Sequence, residues 1–317
     1  MTAVLVTGGS GFLGSSVVRG LSAAGHAVTS ADLRLPATAV PGVKHIVMDV
    51  TDRDAVDAGI AAAAPEVVVH LASIVTPGKG STRALEYAVD VDGSRHVIDA
   101  CVAHGVSRLV VSSSGAAYGY HADNGAAHGG WLTEDDPVRG NEQFAYSHHK
   151  RLVEELLANA RAEHPALEQV VLRIGTILGV SVDNQITALF ERPRLLKIRG
   201  ADSPFVFIWD TDVVAVIERA VTGEATGIFN VAGDGALTID EIAALLGKPT
   251  LVMPEPVLRA ALAVGSRLGL TPYGPEQTLF LQYRPVLDNS RLKERFGYRP
   301  TRTSREAFDE WRMRRES

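Results

Sequence analysis

Short apolar runs alternate with stretches of helical periodicity from the start of the chain to Gly175. Runs with almost no polar alternation predict strands buried on both faces of a sheet, and apolar residues three and four positions apart predict helices. The predicted strands span 3–6, 27–32, 43–48, 66–73, 108–114 and 169–175, and the predicted helices between them span 15–25, 51–64, 83–104 and 144–160. This alternation is typical of a doubly wound α/β fold with a parallel sheet.

The alternation weakens beyond Gly179 and returns only in part. It is resumed by a predicted strand over 205–210, a helix over 213–221, a strand over 227–232 and a helix that Thr238 caps and that runs to Leu246. We therefore expect residues 1–178, joined by 205–235, to form one domain. Residues 179–204 and 236–317 would then form a smaller region, mostly from the C-terminal third of the chain.

A glycine-rich turn, Thr7-Gly8-Gly9-Ser10-Gly11-Phe12-Leu13-Gly14, lies between the first predicted strand and the first predicted helix. This is the context that a dinucleotide-binding fingerprint requires. Gly9 would permit the tight turn, Gly11 would let the backbone approach a pyrophosphate, and Gly14 would let the helix pack close to the strand. The helix N-terminus would offer unpaired N–H groups to the phosphates.

An acidic residue at the end of the second strand supports this interpretation. Asp32 lies 18 residues beyond Gly14, near the offset at which a carboxylate accepts hydrogen bonds from the adenosine ribose. A carboxylate there would repel a 2′-phosphate, which favours NAD over NADP. The nearby Arg34 could accommodate that phosphate, so NADP stays open.

Polar and small residues follow several predicted strands at their carboxyl ends, among them Asp49, Ala72 and Ser114. Ligands of doubly wound sheets bind outside these ends. The sequence therefore predicts that the glycine turn and these residues share one site.

Composition narrows the class of protein. The 317 residues carry a net charge of −6, which gives no electrostatic reason to expect a nucleic-acid partner. The single cysteine, Cys101, excludes an internal disulfide, fits a reducing compartment and lies in an apolar helical run, where we expect a buried, inert thiol. The sequence shows no secretory signal and no apolar run long enough to span a bilayer. We expect a cytoplasmic protein that does not enter membranes.

Residues 115–140 are rich in Gly, His, Asn, Asp and Pro and have no sustained period, which predicts a long functional loop such as a lid. His121 and His128 in this loop, and the adjacent His148 and His149, lack metal-ligand spacing with other donors. We interpret all four as solvated side chains and expect no metal site.

Tyr146 and Lys150 are four residues apart on a predicted helix, so their side chains share a face. A free tyrosine, with a pKa of about 10, is a poor base at neutral pH, but a neighbouring lysine cation favours the phenolate. Tyr146 could then remove a proton from a substrate hydroxyl, or return one to a ketone, as hydride moves to or from a nicotinamide. Ser114, at a strand end, could hydrogen-bond the same oxygen.

Taken together, the sequence resembles the extended short-chain dehydrogenases/reductases, in particular their NAD-dependent epimerase/dehydratase group, over nearly the whole chain. The resemblance rests on TGGSGFLG at 7–14, Asp32, Asp49-Val50, HLAS at 70–73, SSSGAAYG at 112–119, YSHHK at 146–150, LRIG at 172–175, the segment 207–213, FNVAGDG at 229–235, LDNS at 287–290 and FGYRP at 296–300.

The resemblance implies a Rossmann-like fold with a smaller C-terminal substrate-binding region, and it implies NAD as the cofactor. It gives catalytic roles to Ser114, Tyr146 and Lys150, with Ser113 as a competitor for the serine role. It also implies a homodimer formed through the helices at 83–104 and 144–160. The implied cofactor-binding residues are Gly8, Gly11, Phe12, Leu13, Asp32, Arg34, Asp49, Val50, Leu71, Ala72, Ser73, Ser112, Tyr146 and Lys150.

Two departures from the family pattern concern the small-molecule substrate. Nucleotide-sugar members have an arginine at the position where this chain has Phe205. They have a second arginine well upstream of the position of Asp288, whereas Arg284 of this chain is only four residues before Asp288. Losing these arginines would remove bidentate phosphate contacts. The apolar stretch 256–270, with 279–281, either lines an apolar pocket or forms ordinary core.

The sequence is consistent with three functions. The first is an oxidoreductase of the epimerase/dehydratase type. The second is an alcohol dehydrogenase or ketone reductase similar to the hydroxysteroid dehydrogenases, and the third is a non-catalytic dinucleotide sensor.

Overall fold

The computed structural model describes residues 1–78, 80–180, 182, 184–271 and 273–316. Its strands are β1 Ala3–Thr7, β2 Ala27–Asp32, β3 Lys44–Val47, β4 Val67–His70, β5 Arg108–Ser114, β6 Glu168–Ile174, β7 Thr176–Leu178, β8 Leu195–Ile198, β9 Phe207–Trp209, β10 Gly227–Val231 and β11 Thr250–Met253. Its α-helices are α1 Phe12–Ala23, α2 Arg53–Ala63, α3 Arg83–Tyr87, α4 Gly93–Ala103, α5 Ala145–Glu163, α6 Gln185–Phe190, α7 Asp210–Thr222, α8 Ile239–Leu246, α9 Glu255–Arg267, α10 Gln277–Gln282, α11 Ser290–Glu294 and α12 Ser304–Glu316.

A seven-stranded sheet in the order β3-β2-β1-β4-β5-β6-β10 forms the centre of the molecule. All of its strand pairs are parallel. The strand order reverses direction between β1 and β4, which is the arrangement of a doubly wound sheet. The predicted α/β fold with a parallel sheet is confirmed.

Helices cover both faces of this sheet because side chains alternate along each strand. Val4 and Val6 of β1 join a core with apolar residues of α1 and α7, whereas Leu5 joins a second core with residues of α2, α4 and α5. Cys101 is fully buried in the second core, and burial raises the pKa of its thiol to about 12. The expectation of a buried, unreactive thiol is confirmed.

The predicted helix over 83–104 is divided into three parts. A π-helical turn over Ala88–Asp92 separates α3 from α4. Apolar periodicity does not distinguish this turn from a continuous α-helix, and π turns occur frequently at functional sites.

The strand predicted over 205–210 does not return to the central sheet. It is shorter, and as β9 it pairs with β7 in a separate two-stranded parallel sheet. A third core forms around it from aromatic side chains. Its largest members are Phe190, Phe205, Phe207, Trp209, Phe308 and Trp311.

Residues 115–140 form two short 3-10 turns and a segment anchored to the C-terminal part of the chain. Leu132 is buried and makes a parallel bridge with Leu287, which anchors this part of the loop to the C-terminal segment. Among the described residues, no helix is both long and apolar enough to cross a bilayer.

Candidate functional site

The turn between β1 and α1 lies at the carboxyl edge of the sheet. Gly8 has a φ of +68°, and a Cβ atom on it would lie 2.8 Å from the Ala72 backbone nitrogen. The left-handed conformation therefore falls on Gly8 and not on Gly9, to which sequence reasoning gave the tight turn. A side chain at Gly9 would need Ser30 to move, since its Cβ would lie 2.3 Å from Ser30 Oγ.

The start of α1 is built to receive an anion. A Cβ on Gly14 would lie 2.0 Å from the Gly8 carbonyl oxygen, so the helix and the turn are in backbone contact. Gly11 is the N-cap and has no side chain to cap the helix. The first N–H groups of the helix, at Phe12 and Leu13, are therefore left for a phosphate, and the helix dipole favours negative charge there.

Asp32 lies at the end of β2, directly beside this turn. Its Oδ2 accepts the Ser10 N–H at 2.9 Å, and its Oδ1 accepts the Arg34 N–H at 3.4 Å. The carboxylate is thus fixed against the glycine turn, where a ribose would meet it. The Arg34 side chain is exposed.

Asp49 and Val50 follow β3 and are held locally. Asp49 Oδ1 accepts both the N–H and the hydroxyl of Thr51, at 2.9 and 2.8 Å. Val50 is buried, and its carbonyl oxygen accepts a hydrogen bond from His96 Nδ1 at 2.9 Å. These contacts fix the backbone of the two residues for which the resemblance implies cofactor binding.

The segment after β4 runs along the glycine turn. The Leu71 N–H donates to the Thr7 carbonyl at 3.2 Å, the Ala72 N–H donates to Thr7 Oγ1 at 3.4 Å, and the Ser73 hydroxyl donates to Asp90 Oδ1 at 2.9 Å. Leu71, Ala72 and Ser73 are therefore next to the proposed cofactor site, but the Ser73 hydroxyl is directed toward Asp90.

His70 is buried between two hydroxyl groups. Thr7 Oγ1 lies 2.7 Å from its Nδ1, and Ser94 Oγ lies 3.0 Å from its Nε2. Because the Ser94 hydroxyl donates to the Asp90 carbonyl, it accepts from His70 Nε2–H, and Nδ1 accepts from Thr7. Burial, together with the Lys150 charge, lowers the pKa of His70 to about 3, so the ring is neutral at physiological pH.

Asp90 and His149 form a buried pair that the sequence did not reveal. His149 Nδ1 lies 3.0 Å from Asp90 Oδ2, and both side chains are 3% exposed or less. Asp90 Oδ1 also accepts the Ile74 N–H at 2.9 Å. Burial favours the neutral acid, but the His149 hydrogen bond and the Lys150 charge outweigh it and hold the pKa of Asp90 below its usual range.

The interpretation of His149 as a solvated side chain is therefore wrong. Its neighbour His148 is only partly buried, and the Nδ1 atom of His148 lies 3.2 Å from Arg151 Nη2. His121 is also partly buried and donates through Nε2 to the Arg139 carbonyl at 2.9 Å, so it is not fully solvated, whereas His128 is 47% exposed. Among the described residues no three donor side chains lie close enough to hold a metal ion.

Tyr146 and Lys150 lie on consecutive turns of α5, next to the end of β5. Lys150 Nζ is 5.5 Å from the centroid of the Tyr146 ring and donates to the Ser112 carbonyl oxygen at 2.9 Å. Lys150 is 5% exposed, and Tyr146 is partly exposed at the edge of the sheet. The structure thus brings together two of the side chains for which we expect catalytic roles.

The two candidate serines at the end of β5 differ in their surroundings. Ser113 is 3% exposed and its hydroxyl donates to Glu154 Oε1 at 2.5 Å. Ser114 is partly exposed, and its Oγ accepts the Ala116 N–H at 3.1 Å. Ser114 therefore keeps its hydroxyl hydrogen for a ligand, which favours it over Ser113.

An aromatic wall with one buried arginine lies beyond Tyr146. The Tyr120 ring packs edge-on against Phe144 and Phe280, with centroids 4.8 and 5.4 Å away. The guanidinium carbon of Arg284 lies 3.8 Å from the centroid of Phe205 and 4.9 Å from that of Phe280. Arg284 and Phe205 are 79 positions apart, so their contact has no local signal in the sequence.

Most of the apolar stretch 256–270 neither lines this wall nor forms core. Within α9 only Leu258 is buried, whereas Val257, Val264, Leu268 and Leu270 are between 53% and 79% exposed. From the second apolar segment, Phe280 reaches the site.

Comparison with known proteins agrees with this geometry. The model of the NAD dependent epimerase/dehydratase family matches residues 4–232. A solved structure of the Bordetella bronchiseptica enzyme WbmG in complex with NAD and UDP superposes with a TM-score of 0.75 at 21% identity, over 99% of this chain and 94% of that one.

Two curated relatives extend the comparison. The 3-diazoavenalumate denitrifying reductase of a Streptomyces species is 30% identical over 95% of this chain and 97% of its own length. An uncharacterised protein of Mycobacterium tuberculosis is 26% identical over 98% of this chain, which spans only 30% of that longer protein.

The family uses NAD, and the turn at Gly8–Gly14 with Asp32 beside it fits that cofactor. Glycine is needed at Gly8 and Gly14, because a side chain at either position would collide with the surrounding backbone. By its fold, its glycine turn and a family match over most of its length, the chain belongs to the NAD-dependent epimerase/dehydratase family.

Proposed function

We propose that the chain is an oxidoreductase of the epimerase/dehydratase type, which transfers hydride between a substrate carbinol or ketone and the nicotinamide. The observation that carries the proposal is the approach of Lys150 to Tyr146 beside the end of β5. Asp32 and the glycine turn lie at the same edge of the sheet. In this proposal residues 1–178 and 205–235 hold the cofactor, and the remaining segments hold the substrate.

Tyr146 is the group that moves the proton. Its phenolate oxygen removes the hydroxyl proton of an alcohol, and its hydroxyl returns a proton to a ketone oxygen. The Lys150 cation stabilises the phenolate by Coulomb attraction, and the Ser112 carbonyl fixes its Nζ. Ser114 donates its hydroxyl hydrogen to the same substrate oxygen and stabilises the negative charge that develops there.

The cofactor would be held by the first turn of α1, by Asp32, by the Asp49-Val50 pair and by Lys150. When bound, its nicotinamide supplies the hydride acceptor or donor. Asp32 suits a ribose with a free 2′-hydroxyl and repels a 2′-phosphate, which supports NAD over NADP.

A second candidate is a simple alcohol dehydrogenase or ketone reductase. The Streptomyces relative, whose name is that of a reductase, favours it, as does Phe205 at a position where nucleotide-sugar enzymes have arginine. An epimerase regenerates its cofactor in each cycle, whereas a dehydrogenase accumulates NADH. The absorbance of reduced cofactor across a panel of alcohols and ketones separates the two.

The test of the proposed mechanism is Tyr146→Phe. We expect kcat to fall by about 10²–10⁴-fold, the usual contribution of one acid-base group, with the affinity for NAD unchanged. Tyr273→Phe is the matched control, because Tyr273 is 42% exposed, and it should turn over like the parent. Full turnover in Tyr146→Phe would show that another group moves the proton. NAD binding by the parent with no turnover of any alcohol or ketone in the panel would instead indicate a dinucleotide sensor.

A further inference from the structure

Lys150 is a buried cation that is hydrogen-bonded to a neutral group. It is 5% exposed, and its Nζ donates to the Ser112 carbonyl oxygen at 2.9 Å. Within the part of the chain that the structure describes, Lys150 forms no ion pair. A cation that has lost its water requires a negative charge nearby to balance the lost hydration. The cationic form of Lys150 therefore depends on a carboxylate that does not touch it.

Asp90 is a carboxylate that interacts with this cation at longer range. Burial opposes ionisation of Asp90, but the His149 hydrogen bond and the Lys150 charge together lower its pKa. A Coulomb interaction acts equally on its two partners. The attraction that favours the Asp90 carboxylate therefore favours the Lys150 cation to the same extent.

Two segments of the chain hold the Asp90 carboxylate in place. Its Oδ1 accepts the Ser73 hydroxyl and the Ile74 N–H, both at 2.9 Å. Its Oδ2 lies 3.0 Å from His149 Nδ1, and because a carboxylate only accepts hydrogen bonds, this ring nitrogen carries the hydrogen. His149 directly precedes Lys150 on α5, so one turn of helix fixes both the carboxylate and the cation.

The other titratable groups around Lys150 supply no free negative charge. His70 of β4 is neutral, because burial and the Lys150 charge lower its pKa to about 3. Glu154, one turn further along α5, pairs with Arg173 of β6 at 2.6 Å. Among the described residues this leaves Asp90 to balance the Lys150 cation.

We propose that Asp90, held by His149, is the counter-charge that keeps Lys150 cationic and so fixes the pH range in which Tyr146 exchanges its proton. For the role of Tyr146 the proposal rests on the proposed function. Asp90 acts through Lys150, which lies 5.5 Å from the centroid of the Tyr146 ring, and it is a positioning residue. Its loss should favour release of the proton from both Lys150 and Tyr146, because removal of a negative charge favours the deprotonated form of every group near it.

The first measurement requires no turnover. In the NAD-saturated protein, ¹³C NMR of lysine labelled at Cε follows the protonation of each ammonium group, and the signal that is missing in Lys150→Arg identifies Lys150. We expect Lys150 to lose its proton at a pH about 1–2 units lower in Asp90→Asn than in the parent, as removal of one charge several ångströms away in a protein interior predicts. Equal titrations in the two proteins would overturn the proposal.

The second measurement is the pH profile of kcat for the alcohol that the parent oxidises fastest in the panel of alcohols and ketones. In oxidation, the acidic limb of this profile reflects loss of the Tyr146 proton, and the alkaline limb reflects loss of the Lys150 proton. Both limbs should move to lower pH in Asp90→Asn. Asp90→Glu keeps the carboxylate, so its profile should stay closer to that of the parent.

Asp212→Asn is the matched control for a purely structural effect. Asp212 of α7 is also a buried carboxylate, 1% exposed, and it accepts the Tyr298 hydroxyl at 2.7 Å and the Thr301 N–H at 2.9 Å. It lies on the other face of the central sheet from α5. Its loss should lower stability but leave the Lys150 titration and both limbs unchanged.

Lys150→Met tests the same attraction from the other partner if Asp90→Asn does not fold. The Asp90 carboxyl group, followed by ¹³C NMR, should then take up its proton at a higher pH than in the parent, because the cation that lowers its pKa is gone. An unchanged Asp90 titration in this variant would overturn the proposal.

The outcomes separate this proposal from the proposed function. A lower Lys150 titration in Asp90→Asn together with full turnover in Tyr146→Phe would support the counter-charge and overturn the mechanism alone. A lower Lys150 titration with unmoved limbs would overturn the effect of Asp90 on Tyr146. Limbs that move equally in Asp90→Asn and Asp212→Asn would reduce Asp90 to a structural role and overturn the proposal.

Discussion

Asp90 is a buried carboxylate on the π turn, 3% exposed, and it connects the segment after β4 to α5 through Ser73 and His149. Because folding lowers its pKa, it stabilises the fold above its ordinary pKa of 3.8, and this stabilisation is lost as the pH falls through the lower folded-state value. We expect Asp90→Asn to lower the free energy of unfolding at pH 7 by about 1–3 kcal/mol, the cost of one charge-assisted hydrogen bond. The difference from the parent should shrink as the pH falls below 3.8, where the carboxyl of the unfolded chain takes up a proton, and it should vanish below the folded-state pKa.

Urea denaturation at pH 7 and pH 3 measures both effects. Asp123→Asn is the control, because a hydrogen bond with Arg139 lowers the pKa of Asp123 as well, but its side chain is 68% exposed. Solvent screens such a pair, and we expect no measurable change. Equal free energies of unfolding for Asp90→Asn and the parent at pH 7 would mean that the Asp90–His149 pair does not stabilise the fold.

At the same scale, the sequence predicted residues whose chemistry is local and missed those whose partner is distant. Tyr146 and Lys150 share one helix face, so their spacing was sufficient. Asp90 and His149 are 59 positions apart, and only the packing of the π turn against α5 brings them together. The choice between Ser113 and Ser114 likewise needed the direction in which each residue of β5 points.

The turn into α1 tolerates little change. In Gly14→Ala the new methyl group would lie 2.0 Å from the Gly8 carbonyl oxygen and 2.8 Å from its carbon. The obstacle is backbone and cannot rotate away, so α1 must move from the turn. We expect the affinity for NAD to fall at least about tenfold and the free energy of unfolding to drop by about 1–3 kcal/mol, as overpacking usually costs.

Isothermal titration with NAD and urea denaturation measure these two quantities. Gly78→Ala is the matched control, since a Cβ at Gly78 meets no described atom within 4 Å and its φ is outside the left-handed region. It should bind NAD like the parent. Unchanged NAD affinity in Gly14→Ala would place the cofactor away from this turn.

Apolar periodicity predicted the elements of the central sheet well because buried parallel strands and amphipathic helices have distinct periods. It did not predict that β9 pairs with β7, since a period reports which residues are buried and not which strand lies beside them. It also did not predict that most apolar side chains of α9 are exposed. Apolar composition alone does not distinguish a buried helix from an exposed one.

On the scale of the whole molecule, a buried polar network joins the C-terminal segment to the central sheet. Asn230 of β10 accepts the Tyr118 hydroxyl at 2.9 Å and donates to the carbonyls of Leu132 and Asp288 at 2.8 and 3.0 Å. Asn230 is completely buried, so removal of its amide would take the Asn230 donor from the Asp288 carbonyl, and a buried carbonyl without a donor costs about 1–3 kcal/mol. The Tyr118 hydroxyl would keep the Thr133 carbonyl, and the Leu132 carbonyl would keep the Asp288 N–H.

We therefore expect Asn230→Ala to lower the free energy of unfolding by about 2–4 kcal/mol, with the loss concentrated where the C-terminal segment meets the loop. Hydrogen exchange of the Asp288 amide, which donates to the Leu132 carbonyl at 2.9 Å, should become faster than that of amides within β1. Asn184→Ala is the comparison, because Asn184 caps the short α6 and donates to the Ile177 carbonyl at 3.3 Å, and loss of a helix cap costs about 1 kcal/mol. If both variants speed exchange at Asp288 equally, the network does not hold the segment that carries Arg284 against the sheet. The placement of Arg284 would then depend on its hydrogen bonds to Ser203 and on the rings of Phe205 and Phe280.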